Sequence, residues 1–327
     1  MISDDLMASF SGKRIFITGG TGFIGINLTG ALVASHACVH VLSRDAQRFD
    51  RLKKLFPSIQ GHIGDIRNAD VIMDILRAAR PDIIFHAATA RSAHPETERE
   101  LMFQTHVQGA ENLIASCIRT KPERLVVLGG SLEYGHHEDP LSEDMAPVPN
   151  TLYGATKAAG TMLFQQAAQG SKLPVVILRI FSVYGQWEGL KRLIPSAIRA
   201  GLQGEELRLT APGYKRDYIH VDDVVTACCL AATARQVAGE IINVGTGIQT
   251  SNEAVVEYIN ALTGKHLRIV YGAYPARESD SFHWVADTLK CRRMLNWQPA
   301  ITLTDGLERA VKWFREHFAS ESFSDAV

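Results

Sequence analysis

Four glycines stand within residues 18–25, TGGTGFIG, directly after the apolar stretch 14–17, RIFI. Glycine packs nothing and costs backbone entropy, so a sharp turn or a close neighbour must require it at this density. Gly20, Gly22 and Gly25 fit the pattern G-x-G-x-x-G between a predicted strand and a predicted helix. Such a turn presents unbonded N–H groups and the positive end of a helix dipole to a pyrophosphate. The stretch therefore predicts a dinucleotide site, with a ligand-free turn as the alternative.

Length, composition and charge bound the kind of protein. The chain has 327 residues, 46% of them hydrophobic and 21% charged, a balance typical of a globular enzyme. A net charge of −1 argues against a nucleic-acid-binding protein, which would carry a basic excess. No apolar run approaches the ~20 residues that a membrane helix needs, and the acidic N-terminus lacks the apolar core of a signal peptide. We therefore expect a cytoplasmic enzyme with no nucleic-acid partner and no membrane partner.

Cysteine and histidine spacing gives no sign of a metal centre. The cysteines form no C-x-x-C pair: Cys38, Cys117, Cys228, Cys229 and Cys291. Scattered cysteines predict reduced thiols in a core rather than disulfides or a structural zinc site. The histidines show no H-E-x-x-H spacing, so we predict that no metal is bound.

Strand-like apolar runs alternate with helical patterns through the first half of the chain. The predicted strands are 14–18, 38–42, a short one before Gly64, 82–86, 124–128 and 175–180, and the predicted helices are 23–34, 68–79, 98–118 and 152–169. Continuous Val/Ile/Leu strands between helices predict an α/β fold with a doubly wound parallel sheet of Rossmann type.

The alternation breaks after residue 180, which predicts a second, smaller lobe. We expect 1–180 to form the dinucleotide-binding domain, and 221–246, with one helix and one strand, to return to it. Residues 181–220 and 247–327 would then form a substrate-binding lobe. A cleft between two such lobes is a common position for a ligand.

The end of the second predicted strand bears on which dinucleotide binds. A NAD site usually places an acidic residue there, for the ribose 2′-OH. Here Ser43 and Arg44 stand at that point, and they suit the 2′-phosphate of NADP because a guanidinium pairs with phosphate through two hydrogen bonds. Asp45 follows directly and keeps NAD open. Asp65 ends a later strand, where it would either contact the adenine edge or cap the next helix.

Tyr153 and Lys157 lie one turn apart on the same face of a predicted helix. A lysine ammonium beside a phenol stabilises the phenolate, which makes the tyrosine usable as an acid and a base. A Y-x-x-x-K pair alone also occurs on ordinary solvent-facing helices. Because it follows a dinucleotide motif here, we predict that the pair is catalytic.

At this point the chain resembles the extended short-chain dehydrogenase/reductase family, in its nucleotide-sugar epimerase/dehydratase/reductase branch. The resemblance runs from end to end and rests on the motifs TGGTGFIG at 18–25, GDIRN at 64–68, HAAT at 86–89, SLEYG at 131–135, YGATK at 153–157, LRIFSVYG at 178–185, RDYIHVDD at 216–223, NVGTG at 243–247 and LNWQP at 295–299. It implies a Rossmann domain with a C-terminal lobe for a nucleoside-diphosphate sugar. It also implies a homodimer formed through the helices near 98–118 and 152–169.

Matched to the family motifs, the resemblance implies site residues by position. Tyr153 would be the acid/base, with Lys157 as its partner and Ser131 as the assisting hydroxyl. Cofactor contacts would come from Gly19, Gly22, Phe23, Ile24, Ser43, Arg44, Asp65, Ile66, Ala87, Ala88, Tyr153 and Lys157. Substrate contacts would come from Ser131, Glu133, Ser182, Arg192, Arg216 and Arg277, the last two on the diphosphate, with surface ion pairs as the alternative for both.

The loop 129–133 departs from the family pattern. Many members carry Ser or Thr five residues before the glycine of the YG pair, where this chain has Gly130, and dehydratases add an acidic residue where it has Leu132. Ser131 could supply the hydroxyl if the backbone freedom of Gly130 turned it inward. The Asn expected in the helix after HAAT is His106.

These departures predict a reductase. We expect NADP(H), with NAD(H) as the second possibility, to reduce the 4-keto group of a 4-keto-6-deoxy nucleotide-sugar, with Tyr153 supplying the proton. A nucleotide-sugar 4-epimerase with tightly held NAD uses the same residues and is the alternative. A dinucleotide-binding protein without activity is a third reading, which the presence of both Tyr153 and Lys157 opposes.

Overall fold

The computed structural model describes residues 2–90, 95–264, 267–277 and 279–318. In chain order the strands are β1 Arg14–Thr18, β2 Cys38–Ser43, β3 Gln60–Ile63, β4 Ile83–His86, β5 Arg124–Gly130, β6 Val175–Ile180, β7 Ser182–Tyr184, β8 Glu206–Arg208, β9 Lys215–His220, β10 Ile241–Val244, β11 Gln249–Ser251 and β12 Arg268–Val270. The helices are α1 Asp4–Ala8, α2 Phe23–Ala34, α3 Ala46–Leu55, α4 Ala69–Ala79, α5 Pro95–Phe103, α6 Gly109–Thr120, α7 Leu152–Gly170, α8 Leu193–Gln203, α9 Val221–Thr233, α10 Asn252–Thr263, α11 Leu289–Leu295 and α12 Leu303–His317.

A seven-stranded parallel sheet forms the larger part of the molecule. Its strand order is β10-β6-β5-β4-β1-β2-β3, with β1 paired to both β2 and β4. The chain thus winds outward from β1 in one direction and then in the other, and this reversal places a crevice at the carboxyl ends of β1 and β4. The predicted α/β fold of Rossmann type is confirmed.

Alternation along β1 divides the core into two layers. Ile15 and Ile17 point to the face covered by α2 and α9, whereas Phe16 points to the face covered by α4, α6 and α7. All three side chains are fully buried. Because both faces of a parallel sheet are covered, its strands are apolar throughout, as the sequence pattern predicted.

A smaller group of elements packs on the carboxyl ends of the large sheet. It contains a three-stranded sheet, β11-β9-β7, and a two-stranded sheet, β12-β8, together with α8, α10 and α12. Its own apolar core includes Ile198 of α8, Val256 of α10 and Phe314 of α12. The predicted division of the chain into two lobes stays a prediction. The apolar core of this smaller group is separate from the two core layers of the large sheet.

Two predictions about helices differ from the structure. The single helix predicted over 98–118 is three pieces, since a π-helical turn at Gln104–Gln108 separates α5 from α6. The helix α8 was not predicted from the sequence. Pro195 lies in the first turn of α8, where a missing N–H costs no intrahelical hydrogen bond.

Within the described ranges, every helix is too short or too polar to cross a bilayer.

Candidate active site

The glycine-rich loop joins β1 to α2 through direct backbone contact. Gly19 has a φ of +74°, and a Cβ there would lie 2.6 Å from the backbone of Ala87. A Cβ on Gly25 would lie 2.1 Å from the carbonyl oxygen of Gly19. Gly22 is the N-cap of α2 and provides no side chain to bond the first N–H groups of the helix. This helix end is therefore suited to bind an anion.

The neighbouring residues fit a dinucleotide at this helix end. Ala87 and Ala88 follow β4, and their N–H groups donate to the carbonyl oxygen and the hydroxyl of Thr18 over 3.0 and 3.3 Å. These small side chains keep the crevice open beside Gly19. Phe23 and Ile24, in the first turn of α2, line the cleft above the sheet. The backbone contacts of the loop explain its glycines, and the uncapped N–H groups provide the ligands for a pyrophosphate.

The acidic residue that follows β2, Asp45, caps the next helix. Asp45 is the N-cap of α3, and its carboxylate accepts from the N–H groups of Gln47 and Arg48. Ser43 is buried, and its hydroxyl donates to the carbonyl oxygen of Asp45 over 2.8 Å. Arg44, between them, is exposed. Asp45 is exposed as well, so the end of β2 presents both a guanidinium and a carboxylate that is bonded to the first turn of α3.

Asp65 and Ile66, two predicted cofactor residues that follow β3, differ in burial. The Asp65 carboxylate accepts from the Arg67 guanidinium over 2.7 and 3.0 Å. The alternative prediction that Asp65 caps a helix is wrong, because Asn68 is the N-cap of α4. The side chain of Ile66 is 3% exposed and packs in the core. Asp65 thus lies at the edge of the sheet, and the Ile66 side chain lies beneath it.

Tyr153 and Lys157 project from the first turns of α7. Thr151 caps this helix, and its hydroxyl accepts from the N–H of Gly154. Lys157 is buried, and its Nζ donates to the carbonyl oxygen of Leu128 in β5 over 2.5 Å. Tyr153 lines the cleft. The ammonium is thus fixed at the carboxyl end of the sheet, one helical turn from the phenol.

A hydrogen-bonded group that the sequence did not predict lies beside Tyr153. The Oγ1 of Thr89 lies 3.4 Å from the Tyr153 hydroxyl and 2.9 Å from Nε2 of His106. The His106 Nδ1 lies 2.8 Å from Oγ1 of Thr156, and the imidazole stands edge-on to the Tyr153 ring at a centroid distance of 5.4 Å. His106 lies in the π-helical turn between α5 and α6. That turn carries the imidazole to the tyrosine.

The loop after β5 places Ser131 against an indole. Ser131 is 6% exposed and lines the cleft, and its Oγ accepts from Nε1 of Trp284 over 3.1 Å. Gly130 has φ −156° and ψ 151°, an extended backbone that any residue adopts. The prediction that glycine freedom turns Ser131 inward is therefore wrong. A Cβ on Gly130 would meet nothing within 4 Å.

Glu133 lies beneath this loop, and not among the groups that line the cleft. The side chain is 0% exposed. Its two oxygens accept from Nε of Arg179 and from the N–H of Gly130, both over 2.9 Å. A buried carboxylate paired in this way holds the loop to β6, where Arg179 lies. The predicted contact of Glu133 with substrate does not agree with this position.

One cleft runs from the first turn of α2 to α8 and the small sheets. Its volume is about 830 Å³, and its lining includes Phe23, Ser131, Tyr153, Ser182 and residues of α8. A cavity of this size is in the range that small-molecule ligands use. The predicted reacting groups and the predicted substrate-binding lobe therefore share one continuous space.

Cationic and acidic side chains both line this cleft. The cations are Lys191, Arg192, Arg199, Arg208, Arg216 and Arg277. Arg216 lies over the Trp284 ring at 5.2 Å, and its guanidinium is 3.2 Å from the Asp280 carboxylate. The N–H of Arg277 donates to the same carboxylate over 2.9 Å. Asp280 thus holds the guanidinium of Arg216 and the backbone of Arg277, and the ion pair of Arg216 belongs to the cleft instead of the open surface.

Glu188 is a buried acid in the same cleft. It is 4% exposed, and its Oε1 is 3.7 Å from Nε of Arg192. Its Oε2 is buried and has no hydrogen-bond partner in the described part of the chain. Burial raises the pKa of this carboxyl to about 8, against the opposing effect of Arg192. No sequence pattern pointed to Glu188, because nothing marks a glutamate in an irregular segment as buried.

A model described as the NAD-dependent epimerase/dehydratase family matches residues 15–245, more than half of the chain. The chain belongs to this family. Together with the glycine cradle and the Tyr153–Lys157 pair, this membership makes the protein a NAD-dependent epimerase/dehydratase-family enzyme. The extended short-chain dehydrogenase/reductase resemblance is confirmed.

The relatives of this family member differ in the reactions that their names describe. A UDP-N-acetyl-α-D-glucosaminuronate decarboxylase of Bacillus cytotoxicus is 29% identical over 93% of this chain and 98% of that protein. A UDP-glucose 4-epimerase of Thermotoga maritima, solved with UDP-glucose, superposes with a TM-score of 0.85 at 26% identity over 93% of this chain and 99% of that one. MoeE5, solved with UDP-glucose and NAD, superposes with a TM-score of 0.84 at 30% identity over 94% and 100%. The comparisons agree on the family and differ on the reaction.

In the described part of this family member, no group of three or more His, Cys, Asp or Glu side chains has the geometry to hold a metal ion.

Proposed function

We propose that this protein is an NADP(H)-dependent reductase that acts on the 4-keto group of a 4-keto-6-deoxy nucleotide-sugar. The observation that carries the proposal is the loop after β5. Tyr153 and Lys157 are in place, whereas Gly130 and Leu132 offer neither hydroxyl nor carboxylate to the cleft. A dehydratase must also remove a proton from C5 and expel the C6 hydroxyl, which requires further acid and base groups. Reduction requires one proton donor.

The mechanism assigns the proton to Tyr153. A nicotinamide cofactor held at the glycine loop would supply the hydride to C4. Tyr153 donates its hydroxyl proton to the C4 oxygen, and the phenolate that remains is stabilised by the ammonium of Lys157. The carbonyl oxygen of Leu128, 2.5 Å from Nζ, holds that ammonium in position. Ser131, whose Oγ accepts from Trp284, would contact the sugar from the loop after β5.

The preference for NADP(H) rests on Arg44. Its guanidinium is exposed at the end of β2, where it is able to pair with a 2′-phosphate. The Asp45 carboxylate already accepts two backbone N–H groups of α3. An acid committed to helix capping is less available to the 2′-OH of NAD, although NAD(H) stays the alternative.

The proposed substrate class rests on arginines that line the cleft. Arg216, held by Asp280, and Arg277 would bind the diphosphate of a nucleoside-diphosphate sugar, and Arg192 lines the same cleft. Ser182, which also lines the cleft, would contact the sugar. The relatives solved with UDP-glucose support a ligand of this kind.

We further propose that the protein is a cytoplasmic homodimer. Three large apolar side chains are exposed on α5, α6 and α7, namely Phe103 at 57%, Ile118 at 40% and Met162 at 55%. These helices are the ones through which the sequence resemblance implies dimerisation. A partner copy would cover these side chains.

The second candidate is a nucleotide-sugar 4-epimerase with tightly held NAD. The epimerase names among the relatives favour it, and it needs the same tyrosine and lysine. The two candidates differ in cofactor balance, because a reductase consumes one NADPH per product whereas an epimerase consumes none.

The experiment measures that balance. The purified protein is mixed with NADPH and a 4-keto-6-deoxy nucleotide-sugar that a separate dehydratase supplies, and in parallel with the intact nucleotide-hexose. We expect one NADPH oxidised per 4-hydroxy product in the first mixture, and neither NADPH oxidation nor a 4-keto product in the second. Conversion of the intact hexose to its C4 epimer without net cofactor change would favour the second candidate.

A further inference from the structure

The hydroxyl nearest to Tyr153 in the described structure does not come from the loop after β5. Gly130 has no side chain, and the Oγ of Ser131 accepts from Trp284. Thr89, three residues after the end of β4, has its Oγ1 3.4 Å from the Tyr153 hydroxyl. The Thr89 side chain is exposed, so it is able to rotate.

The hydrogen bonds around His106 fix its tautomer. The Thr156 hydroxyl lies 3.1 Å from the carbonyl oxygen of Leu152 and 3.2 Å from that of Tyr153, and it donates its proton to these helix carbonyls. Its oxygen is then an acceptor for the Nδ1–H of His106, 2.8 Å away. The Nε2 of His106 accepts from the N–H of Ala90 over 3.2 Å, so it carries a lone pair.

This tautomer gives the proton of Thr89 two acceptors. One is Nε2 of His106 at 2.9 Å, and the other is the oxygen of Tyr153 at 3.4 Å. Nε2 keeps the Ala90 N–H as a donor when the Thr89 proton turns away. Because hydrogen bonds to an ionised oxygen are about twice as strong as neutral ones, negative charge on Tyr153 draws the Thr89 proton towards it.

We propose that Thr89, held by His106, is a positioning residue that donates a hydrogen bond to Tyr153 as this tyrosine gives up its proton. The inference rests on the proposed function for the direction of transfer. The Tyr153 O–H bond breaks and the O–H bond of the product alcohol forms. The Thr89 hydroxyl keeps its own proton throughout and only changes its acceptor from His106 to Tyr153. It thereby takes the place of the hydroxyl that Gly130 lacks.

The titratable groups packed around this pair in the described ranges are Lys157, His106 and His86. All three side chains line one small cavity. Burial, aided by Lys157, lowers the pKa of His86 to about 3, so His86 stays neutral where the enzyme would work. The variants of Thr89 below leave all three groups in place, so a change in the pH profile reports the loss of the threonine hydroxyl.

The test compares Thr89→Val, which keeps the shape and removes the hydroxyl, with Thr89→Ser, which keeps the hydroxyl. We expect Thr89→Val to lower kcat for the reduction by about 10-fold, the effect of one hydrogen bond to a charged group, with the dissociation constant for NADPH unchanged within about 2-fold. The alkaline limb of its pH–rate profile should move up by about one pH unit, because the phenolate has lost a donor. Thr89→Ser should restore both properties.

Two controls separate this inference from the proposed function. Titration of the tyrosinate absorbance that Tyr153→Phe removes needs no substrate, and its midpoint should move to higher pH in Thr89→Val. A shift without any turnover of nucleotide-sugar would support the role of Thr89 and overturn the proposed reaction. Wild-type kcat and an unmoved midpoint in Thr89→Val, with a large loss in Ser131→Ala, would overturn the role of Thr89 and assign the hydroxyl to Ser131.

Discussion

Two glycine-containing loops at the carboxyl edge of the sheet differ in what surrounds the glycine. After β1, a Cβ on Gly25 would lie 2.1 Å from a carbonyl oxygen, and one on Gly19 would lie 2.6 Å from the backbone of Ala87, the residue after β4. At the end of β5, a Cβ on Gly130 would meet nothing within 4 Å. Packing therefore excludes a side chain at Gly19 and Gly25. At Gly130 packing would accept one.

The difference teaches how to interpret a glycine at a site. A glycine that packing requires reports the fold, and here it brings α2 close enough to present its N–H groups to a phosphate. A glycine that packing does not require bears on the reaction, because it leaves the site without the functional group that a side chain there would supply. On this interpretation the cofactor half of the site follows the family, and the reaction half departs from it.

The largest expected effect lies in the first loop. Gly25→Ala places a methyl group inside backbone contact distance of Gly19, so either α2 moves away from the loop or the protein fails to fold. We expect dinucleotide binding to become undetectable by calorimetry. The matched control is Gly130→Ala, whose stability should stay within ~0.5 kcal/mol of wild type in thermal unfolding. Equal damage from both variants would break the comparison.

The next effect tests the acid itself. Tyr153→Phe removes the proton donor and leaves the glycine loop untouched, so turnover should fall by ~10²-fold or more while dinucleotide affinity stays near wild type. Steady-state kinetics and calorimetry on the same preparation measure both. Turnover near the wild-type value would remove Tyr153 from the mechanism.

A smaller effect tests the open space at residue 130. In the Thr89→Val background, a serine at 130 would place a hydroxyl in this space without a steric conflict. We expect Thr89→Val/Gly130→Ser to recover about 3- to 10-fold of the lost turnover, while Gly130→Ser alone changes stability by less than ~0.5 kcal/mol. If the double variant is as slow as Thr89→Val, the space at residue 130 does not face the reacting oxygen.

The next smaller effect concerns the choice between NADPH and NADH. Arg44→Ala should weaken NADPH binding by about 10-fold, the effect of one exposed charge-assisted contact, and leave NADH affinity unchanged. Calorimetric titration with both dinucleotides measures the gap between them. Tighter binding of NADH by the wild-type protein would transfer the role to Asp45 and favour the epimerase.

Two buried acids differ in whether their carboxylate oxygens have partners. Glu133 is paired with Arg179, whereas Oε2 of Glu188 has no partner in the described structure, and burial raises the pKa of Glu188 to about 8. A folded pKa above the unfolded value means that the native state holds the extra proton between about pH 4.5 and 8, so this contribution to stability is lost as pH rises through 8. We expect Glu188→Gln to match wild type at pH 5 and to melt about 5 °C higher at pH 9. Parallel melting curves across this range would show that Glu188 is ionised in the folded protein.

The sequence predicted the local geometry of the glycine loop and of the Tyr153–Lys157 pair far better than the contacts that surround Tyr153. The strand β1, the glycine loop and α2 are contiguous in sequence, so one motif contains their whole geometry. Tyr153 and Lys157 are likewise one turn apart, and helix periodicity alone places them together.

The residues that were not predicted meet only through the fold. Thr89 and His106 come from two segments separated by α5, and they approach each other because a π-helical turn interrupts the predicted helix. Trp284 reaches Ser131 from 153 residues away. Local patterns contain no information on such contacts. Glu133 illustrates the converse error, because a motif position suggested a substrate contact for a carboxylate that the fold buries against Arg179.

In the proposed reduction the hydride comes from free NADPH and stays in the product. The most direct measurement uses NADPH carrying deuterium at the transferred C4 position, together with a 4-keto-6-deoxy nucleotide-sugar, and analyses the product by mass spectrometry and NMR. We expect one deuterium per product molecule, at C4 of the hexose, with one NADPH consumed. Product without deuterium, or epimerised hexose formed with no label and no cofactor consumption, would contradict it.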